Sequence, residues 1–247
     1  AMMAEKMDRI VEMEQLLRHS IMGMIGGGTS ETAVISLGGV VTLEAVRVGS
    51  FDIDAAIQAY VKREHGIAID AHDNVWLTGN GDGDGHVLKF TRDGKFLLQI
   101  GKGNVKVDSN DTTHLSRPAG ITVYDKTNEV FVADGYGNRR VIVFDANTGK
   151  YKRHWGAYGN KPDDSVPNER RTSGPGAPQF NTVHGVAISE DRLVYVADRG
   201  HNRVQAFKPD GTFVKEAYVG RRDTAGTGSA YGVALSRDPK QLFIYVA

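Results

Sequence analysis

The sequence predicts an all-β fold of repeated four-stranded antiparallel sheets, and three observations predict it. One phrase recurs: His-Gly-Ile-Ala-Ile-Asp at 65–70, Ala-Gly-Ile-Thr-Val-Tyr at 119–124, His-Gly-Val-Ala-Ile-Ser at 184–189 and Tyr-Gly-Val-Ala-Leu-Ser at 231–236. Each copy leads into a second apolar strand, at 75–78, 130–134, 194–198 and 243–247. The strands are short, alternate with period two and are separated by Gly, Asp and Asn turns, which is the pattern of antiparallel sheet. Four strands per unit, repeated along a chain, make the blades of a β-propeller.

In the first unit, Val87–Phe90 and Phe96–Ile100 flank Asp93-Gly94, a hairpin turn signal. The second unit runs from Val-Phe-Val-Ala-Asp through the tight loop Gly-Tyr-Gly-Asn-Arg into Arg140–Phe144. A turn at Gly149 then leads to a fourth strand, Tyr151–Trp155. The third repeats this plan with Arg-Gly-His-Asn-Arg as its loop, Arg203–Phe207, a turn at Gly211 and Phe213–Tyr218. The fourth holds two strands. The expectation is an incomplete propeller over 61–247, with about three full blades plus a partial fourth. Its longest connection, 157–178, is rich in Pro, Gly, Asn, Asp and Arg. A connection of that length is either a lid or binding loop, or disordered.

Residues 1–60 stand outside the repeat as an N-terminal helical and strand extension. Met7, Ile10, Val11, Leu17, Ile21 and Met24 fall at helical spacing, and Gly26-Gly27-Gly28 stops that helix. A strand pair is expected at 33–37 and 40–48, and a second helix at 54–63. Two readings of the pair stay open. It covers the sheet edge left after the fourth unit, or the chain is a piece of a longer propeller whose open edge self-associates.

Composition bounds the function. Thirty basic residues balance thirty acidic ones, which argues against a nucleic-acid or polybasic membrane partner. No apolar run approaches the roughly 18–20 residues of a membrane span. The absence of cysteine excludes thiolate chemistry and disulfides and leaves the compartment open. Ile21–Gly28 is apolar, but acidic residues precede it, which makes it a poor signal peptide.

Val-Ala-Asp-Gly-Tyr-Gly-Asn-Arg-Arg-Val at 132–141 and Val-Ala-Asp-Arg-Gly-His-Asn-Arg-Val at 196–204 carry a more specific signal. They resemble the NHL-repeat propellers, and among these the peptidyl-α-hydroxyglycine α-amidating lyases and their bacterial relatives. The resemblance covers about 64–247. It implies a six-bladed propeller, a lyase that splits peptidyl-α-hydroxyglycine into peptide amide and glyoxylate, and a zinc ion held by three histidines. It also implies a family that leans secreted or periplasmic. By that resemblance His65 and His184 match two zinc ligands, Tyr136 the catalytic tyrosine and Arg199 the arginine that engages the substrate carboxylate. The third histidine would lie beyond Ala247, and the family's other arginine has no counterpart here.

The residue types suit such chemistry. Zinc acts as a Lewis acid on a substrate hydroxyl. A tyrosine can move its proton, and an arginine grips a carboxylate through two parallel bonds. His65 and His184 hold the same position in the repeated phrase, so a propeller brings both toward its axis. The rival reading is a non-catalytic propeller that binds a protein or small ligand on one face. Asp134, Asp198, Asn138, Asn202, Arg139 and Arg203 recur between units and are assigned to a structural loop network. Asn80-Gly-Asp82-Gly-Asp84-Gly85 matches the start of a calcium loop, but Thr91 stands where that loop needs Glu. Gly101-Lys102-Gly103 is no phosphate loop, since neither Ser, Thr nor a helix follows.

Overall fold

The computed structural model describes residues 66–224 and 226–246 in full and residues 30–36 and 39–46 as backbone. The chain divides into two compact units, 1–58 and 59–247. In the first, β1 (Ser30–Ser36) and β2 (Gly39–Val46) form an antiparallel hairpin with a bulge between Val34 and Ile35. The two helices expected at either side of this pair lie outside the described residues, as does His65.

The second unit carries the blades. Blade I is β3 (Ile67–Ile69), β4 (Val75–Thr78), β5 (His86–Phe90) and β6 (Phe96–Gly101). Blade II is β7 (Gly120–Tyr124), β8 (Glu129–Asp134), β9 (Arg140–Asp145) and β10 (Tyr151–Trp155). Blade III is β11 (Val183–Ile188), β12 (Val194–Asp198), β13 (Arg203–Phe207) and β14 (Phe213–Tyr218). Each is an antiparallel meander in chain order. Two further strands, β15 (Val233–Leu235) and β16 (Ile244–Val246), pair as the start of a fourth blade. The fold is therefore an all-β NHL-type propeller in its second unit.

Burial explains why the middle strands are apolar on both faces. In β8, Val130 and Val132 face a core shared with blade I, alongside Trp76, Val87 and Ile121. Phe131 and Ala133 face a core shared with blade III, alongside Val186, Val194 and Phe207. Period-two alternation thus feeds two different interfaces. Each large side chain buried this way stabilises by about 1.5–3 kcal/mol. The outermost strands read differently, with Phe96, Leu97 and Val214 exposed.

The first strands of successive blades lie side by side, β3 against β7, β7 against β11 and β11 against β15. The repeated glycine makes this approach. A methyl group added at Gly66 would sit 2.5 Å from the Ala119 carbonyl oxygen, and one at Gly120 2.5 Å from that of His184. At Gly185 the matching contact is 3.1 Å, to the Tyr231 oxygen. Each glycine therefore meets the residue that precedes the next blade's glycine. This chain of contacts is the physical reason the phrase recurs.

Where blades II and III turn into their third strands, buried ion pairs fix the loops. Arg140 Nε donates to Asp134 Oδ2 at 2.9 Å, and Arg203 Nε to Asp198 Oδ2 at 2.7 Å, with both side chains fully buried in each pair. The same guanidinium groups grip the connection that enters their own blade. Arg140 donates to the carbonyls of Ser109, Asp111 and His114. Arg203 donates to those of Ala177 and Gln179. Sequence matching paired Arg139 with Arg203; the structure corrects this to Arg140, because the blade II loop is one residue longer. Arg139 instead reaches the Val166 carbonyl at 2.6 Å.

The connection 157–178 is tied down along its length. Ser109 donates to Asp164 through its amide and hydroxyl, at 2.8 and 2.6 Å, and Arg170 Nε donates to the Gly200 carbonyl at 2.8 Å. It is a strap laced to blades II and III. At the start of β8, blade II anchors Glu129 with Arg153 at 2.7 and 3.0 Å and with Lys152 at 2.8 Å. Burial pushes the Glu129 carboxyl up, but bonds from Arg153, Lys152 and Thr127 outweigh it and bring its pKa to about 2.

Candidate functional site

The backbone places Tyr136 and Arg199 in the same slot of successive blades. Tyr136 N–H donates to the Arg117 carbonyl at 3.4 Å, and Arg199 N–H to the Thr182 carbonyl at 3.2 Å. Their neighbours repeat the pattern, Gly137 to Ser116 at 3.0 Å and Gly200 to Asn181 at 2.8 Å. Arg117 and Thr182 share a left-handed backbone, at φ 55° and 60°, although neither is glycine. For a β-branched residue such as Thr182 this is a strained conformation of the kind that clusters at functional sites. The extra residue of blade II is Gly135. Laid letter by letter, the loops Gly-Tyr-Gly-Asn-Arg and Arg-Gly-His-Asn-Arg set Gly135 opposite Arg199; the hydrogen bonds make Tyr136 the partner. Gly135 is packed so tightly that an added methyl would lie 2.0 Å from the Val183 carbonyl oxygen.

From these equivalent slots the two side chains meet. Arg199 Nη1 donates to Tyr136 Oη at 2.8 Å. Arg199 is buried and Tyr136 half-buried. The ring of His184, on β11, lies edge-on to Tyr136 at 5.6 Å and to Tyr231 at 5.4 Å. The Arg199 guanidinium carbon sits 4.3 Å from the Tyr231 ring centre. Its Nε is buried and, among the described residues, has no hydrogen-bond partner. Three of the four expected site residues, Tyr136, His184 and Arg199, thus come together. His65 cannot be placed.

Two members of the cluster were not read from the sequence. Tyr231 precedes Gly232 as His184 precedes Gly185, so its place in the repeated phrase was the available signal. Arg117 stands 5.4 Å from the Tyr136 ring centre and carried no motif signal.

Among the described residues no three His, Cys, Asp or Glu side chains gather at one point. His65, the other expected zinc ligand, lies outside them. In the calcium-like loop, the Asn80 carbonyl accepts Arg117 Nε at 2.9 Å and Asp82 pairs with Arg117 at 3.4 Å. Asp84 Oδ2 accepts the Gly81 amide at 2.9 Å. The oxygens of this loop thus serve an arginine and the loop's own backbone. No helix among the described residues is long and apolar enough to cross a membrane.

Two family models match different parts of the chain. A family model for the MreB/Mbl protein matches residues 14–75, and one for the NHL repeat matches residues 180–207. The first match covers the β1–β2 hairpin and runs on into β3 and the first residue of β4, past the 58/59 boundary. A peptidylglycine alpha-amidating monooxygenase of Rattus norvegicus is 33% identical over 159 residues, 62% of this chain and 14% of that protein. A probable peptidyl-alpha-hydroxyglycine alpha-amidating lyase of Caenorhabditis elegans is 30% identical, over 58% of this chain and 36% of that protein. An NHL repeat-containing protein 3 of Homo sapiens is 29% identical, over 56% of this chain and 36% of that protein. The chain therefore spans little more than a third of these relatives at most. Among solved structures, a gluconolactonase of Xanthomonas campestris aligns with a TM-score of 0.47 at 13% identity, covering 73% of this chain and 52% of that one. By its repeated phrase, its blades and the match at 180–207, the second unit of this chain carries repeats of the NHL kind.

Proposed function

We propose that the propeller binds a small carboxylate-bearing peptide derivative at its axis and acts on it as a carbon–nitrogen lyase of the amidating type. One observation carries this reading. The hydroxyl of Tyr136 and the guanidinium of Arg199 touch at 2.8 Å, from matched slots of two blades, beside His184. An anion-binding group next to a proton-transfer group is what cleavage of a peptidyl-α-hydroxyglycine requires. In that reaction the hydroxyl loses its proton and the carbon–nitrogen bond breaks to leave a carbonyl, giving glyoxylate. The departing amide nitrogen takes up a proton, with no change of oxidation state overall. Arg199 would hold the carboxylate and Tyr136 Oη would carry the proton between oxygen and nitrogen.

The sequence relatives named as amidating lyases support the reaction class. The test is glyoxylate release from α-hydroxyhippurate by the purified chain. Release lost in both Arg199→Gln and Tyr136→Phe is the expected result. Equal release by wild type and both variants would overturn the reading. Zinc shared by His65 and His184 is a separate proposal, checked by elemental analysis. Zinc retained by both His65→Ala and His184→Ala would end it.

A second reading rests on the buried Nε of Arg199, which has no partner among the described residues and marks an acid-binding site whether or not chemistry follows. The same arginine site would serve a binding propeller without turnover. It predicts acid binding lost in Arg199→Gln and no glyoxylate from any form.

A further inference from the structure

We infer that Tyr231 is the positioning residue that presents Arg199 to a carboxylate, with Thr227 as its latch. The inference rests on the carboxylate-binding role of Arg199 proposed above and concerns how that role is built.

Among the described residues, two contacts hold the Arg199 side chain closely. Its Nη1 donates to Tyr136, and its guanidinium lies against the Tyr231 ring at 4.3 Å, closer than the 5.6 Å to the Tyr136 ring. With Nη1 engaged, the Nε–Nη2 edge is the fork left for a ligand. Nε is buried with no partner among the described residues. A buried charged N–H left without an acceptor is costly, so its persistence points to a ligand that completes it. A guanidinium's fork matches a planar carboxylate through two parallel bonds. That match needs the guanidinium plane fixed, and a single bond at Nη1 leaves it free to rotate. The ring of Tyr231 supplies the missing restraint by a cation–π contact.

Tyr231 is itself built into place. Its carbonyl oxygen is the one that Gly185 approaches, and its hydroxyl bonds Thr227 Oγ1 at 2.6 Å. Its ring also meets His184 edge-on at 5.4 Å. The loop that carries Thr227 passes directly over Arg199, since a methyl added at Gly228 would lie 1.8 Å from the Arg199 carbonyl oxygen. The first strand of the fourth blade and the loop before it thus set the arginine of the third. Tyr231 occupies the repeat position of His184 but faces an arginine, which fits a positioning part and not a proton carrier.

The test compares binding of hippurate and of hippuramide, its uncharged amide, by calorimetry on the whole chain. Wild type should prefer the acid, and Arg199→Gln should erase that preference. Tyr231→Leu should weaken the acid about tenfold and leave the amide unchanged, while Tyr231→Phe keeps acid binding within about threefold. Thr227→Val, which disturbs less, should weaken the acid by a smaller factor and decides the matter if Tyr231→Leu does not fold. Full acid affinity in a folded Tyr231→Leu, or in Thr227→Val when that variant alone folds, overturns the inference. So does a loss in Tyr231→Phe as large as in Tyr231→Leu. Wild type that binds acid and amide alike, unmoved by Arg199→Gln, removes the carboxylate site and this inference with it.

Discussion

Blades II and III carry nearly the same loop, and what differs between them is the site. Both turn on a buried aspartate–arginine pair, Asp134 with Arg140 and Asp198 with Arg203. In both, a second side chain joins the aspartate: Asn138 at 2.7 Å in one, His201 at 2.9 Å in the other. What repeats is the loop's own scaffolding. What does not repeat is Tyr136 against Arg199, one slot filled by a phenol in one blade and by a cation in the next. Repetition therefore marks the frame, and the departure within a repeated slot marks the candidate site.

The comparison breaks most sharply if the frame is removed. Arg203→Met leaves Asp198 buried without its charge partner and should cost about 3–5 kcal/mol, read as a lowered melting temperature. Arg140→Met should match it. A blade that tolerated the loss would show that the two pairs are not equivalent. Tyr136→Phe should act in the opposite sense, with little change in melting but glyoxylate release slowed by about 10²-fold or more. A large fall in melting temperature would move Tyr136 from the chemistry to the frame.

Gly120 and Gly232 sharpen the comparison further, because they hold one slot in two blades. An added methyl meets a carbonyl oxygen at 2.5 Å in the first and, among the described residues, nothing within 4 Å in the second. Gly120→Ala should cost about 1–3 kcal/mol and Gly232→Ala close to none, measured by denaturant midpoint. The smallest effect concerns Glu129. Its folded pKa, about 2, lies below its ordinary 4.5. Its stabilisation is thus present above about pH 4.5 and lost as pH falls toward 2. Glu129→Gln should flatten the acid limb of a melting-temperature profile; an unchanged limb would place that stabilisation elsewhere.

Much of the frame was legible. Strand positions follow period-two alternation and glycine turns, and Arg140–Asp145, Tyr151–Trp155 and Phe213–Tyr218 lie where the sequence sets them to within a residue. The loop register was not. The shared Asn-Arg letters of the two loops invite a direct match, yet backbone bonds align Asn138 with His201 and set Gly135 apart as the extra residue. Of the candidate site, Tyr136, His184 and Arg199 were named from the family resemblance, and the structure sets Tyr136 against both of the others. Tyr231 was not, because an aromatic before glycine reads as packing until its distance to Arg199 is known. The strap 157–178 read as a lid or binding loop, or as disordered, because its anchors, Ser109, Arg139 and Arg203, are scattered through other elements. The alternating hairpin at 30–46 looked generic, and its likeness to the MreB/Mbl family emerged only by comparison.

The glycine that touches the next blade and the residue just before it divide their labour across a single peptide bond. One carries the mechanical joint between blades. The other, His184 or Tyr231, puts its ring into the cluster around Tyr136 and Arg199. Selection can therefore rewrite such a cluster one position per blade while every joint stays intact. A lineage of these proteins could exchange one reaction for another, or for none, without passing through an unfolded ancestor.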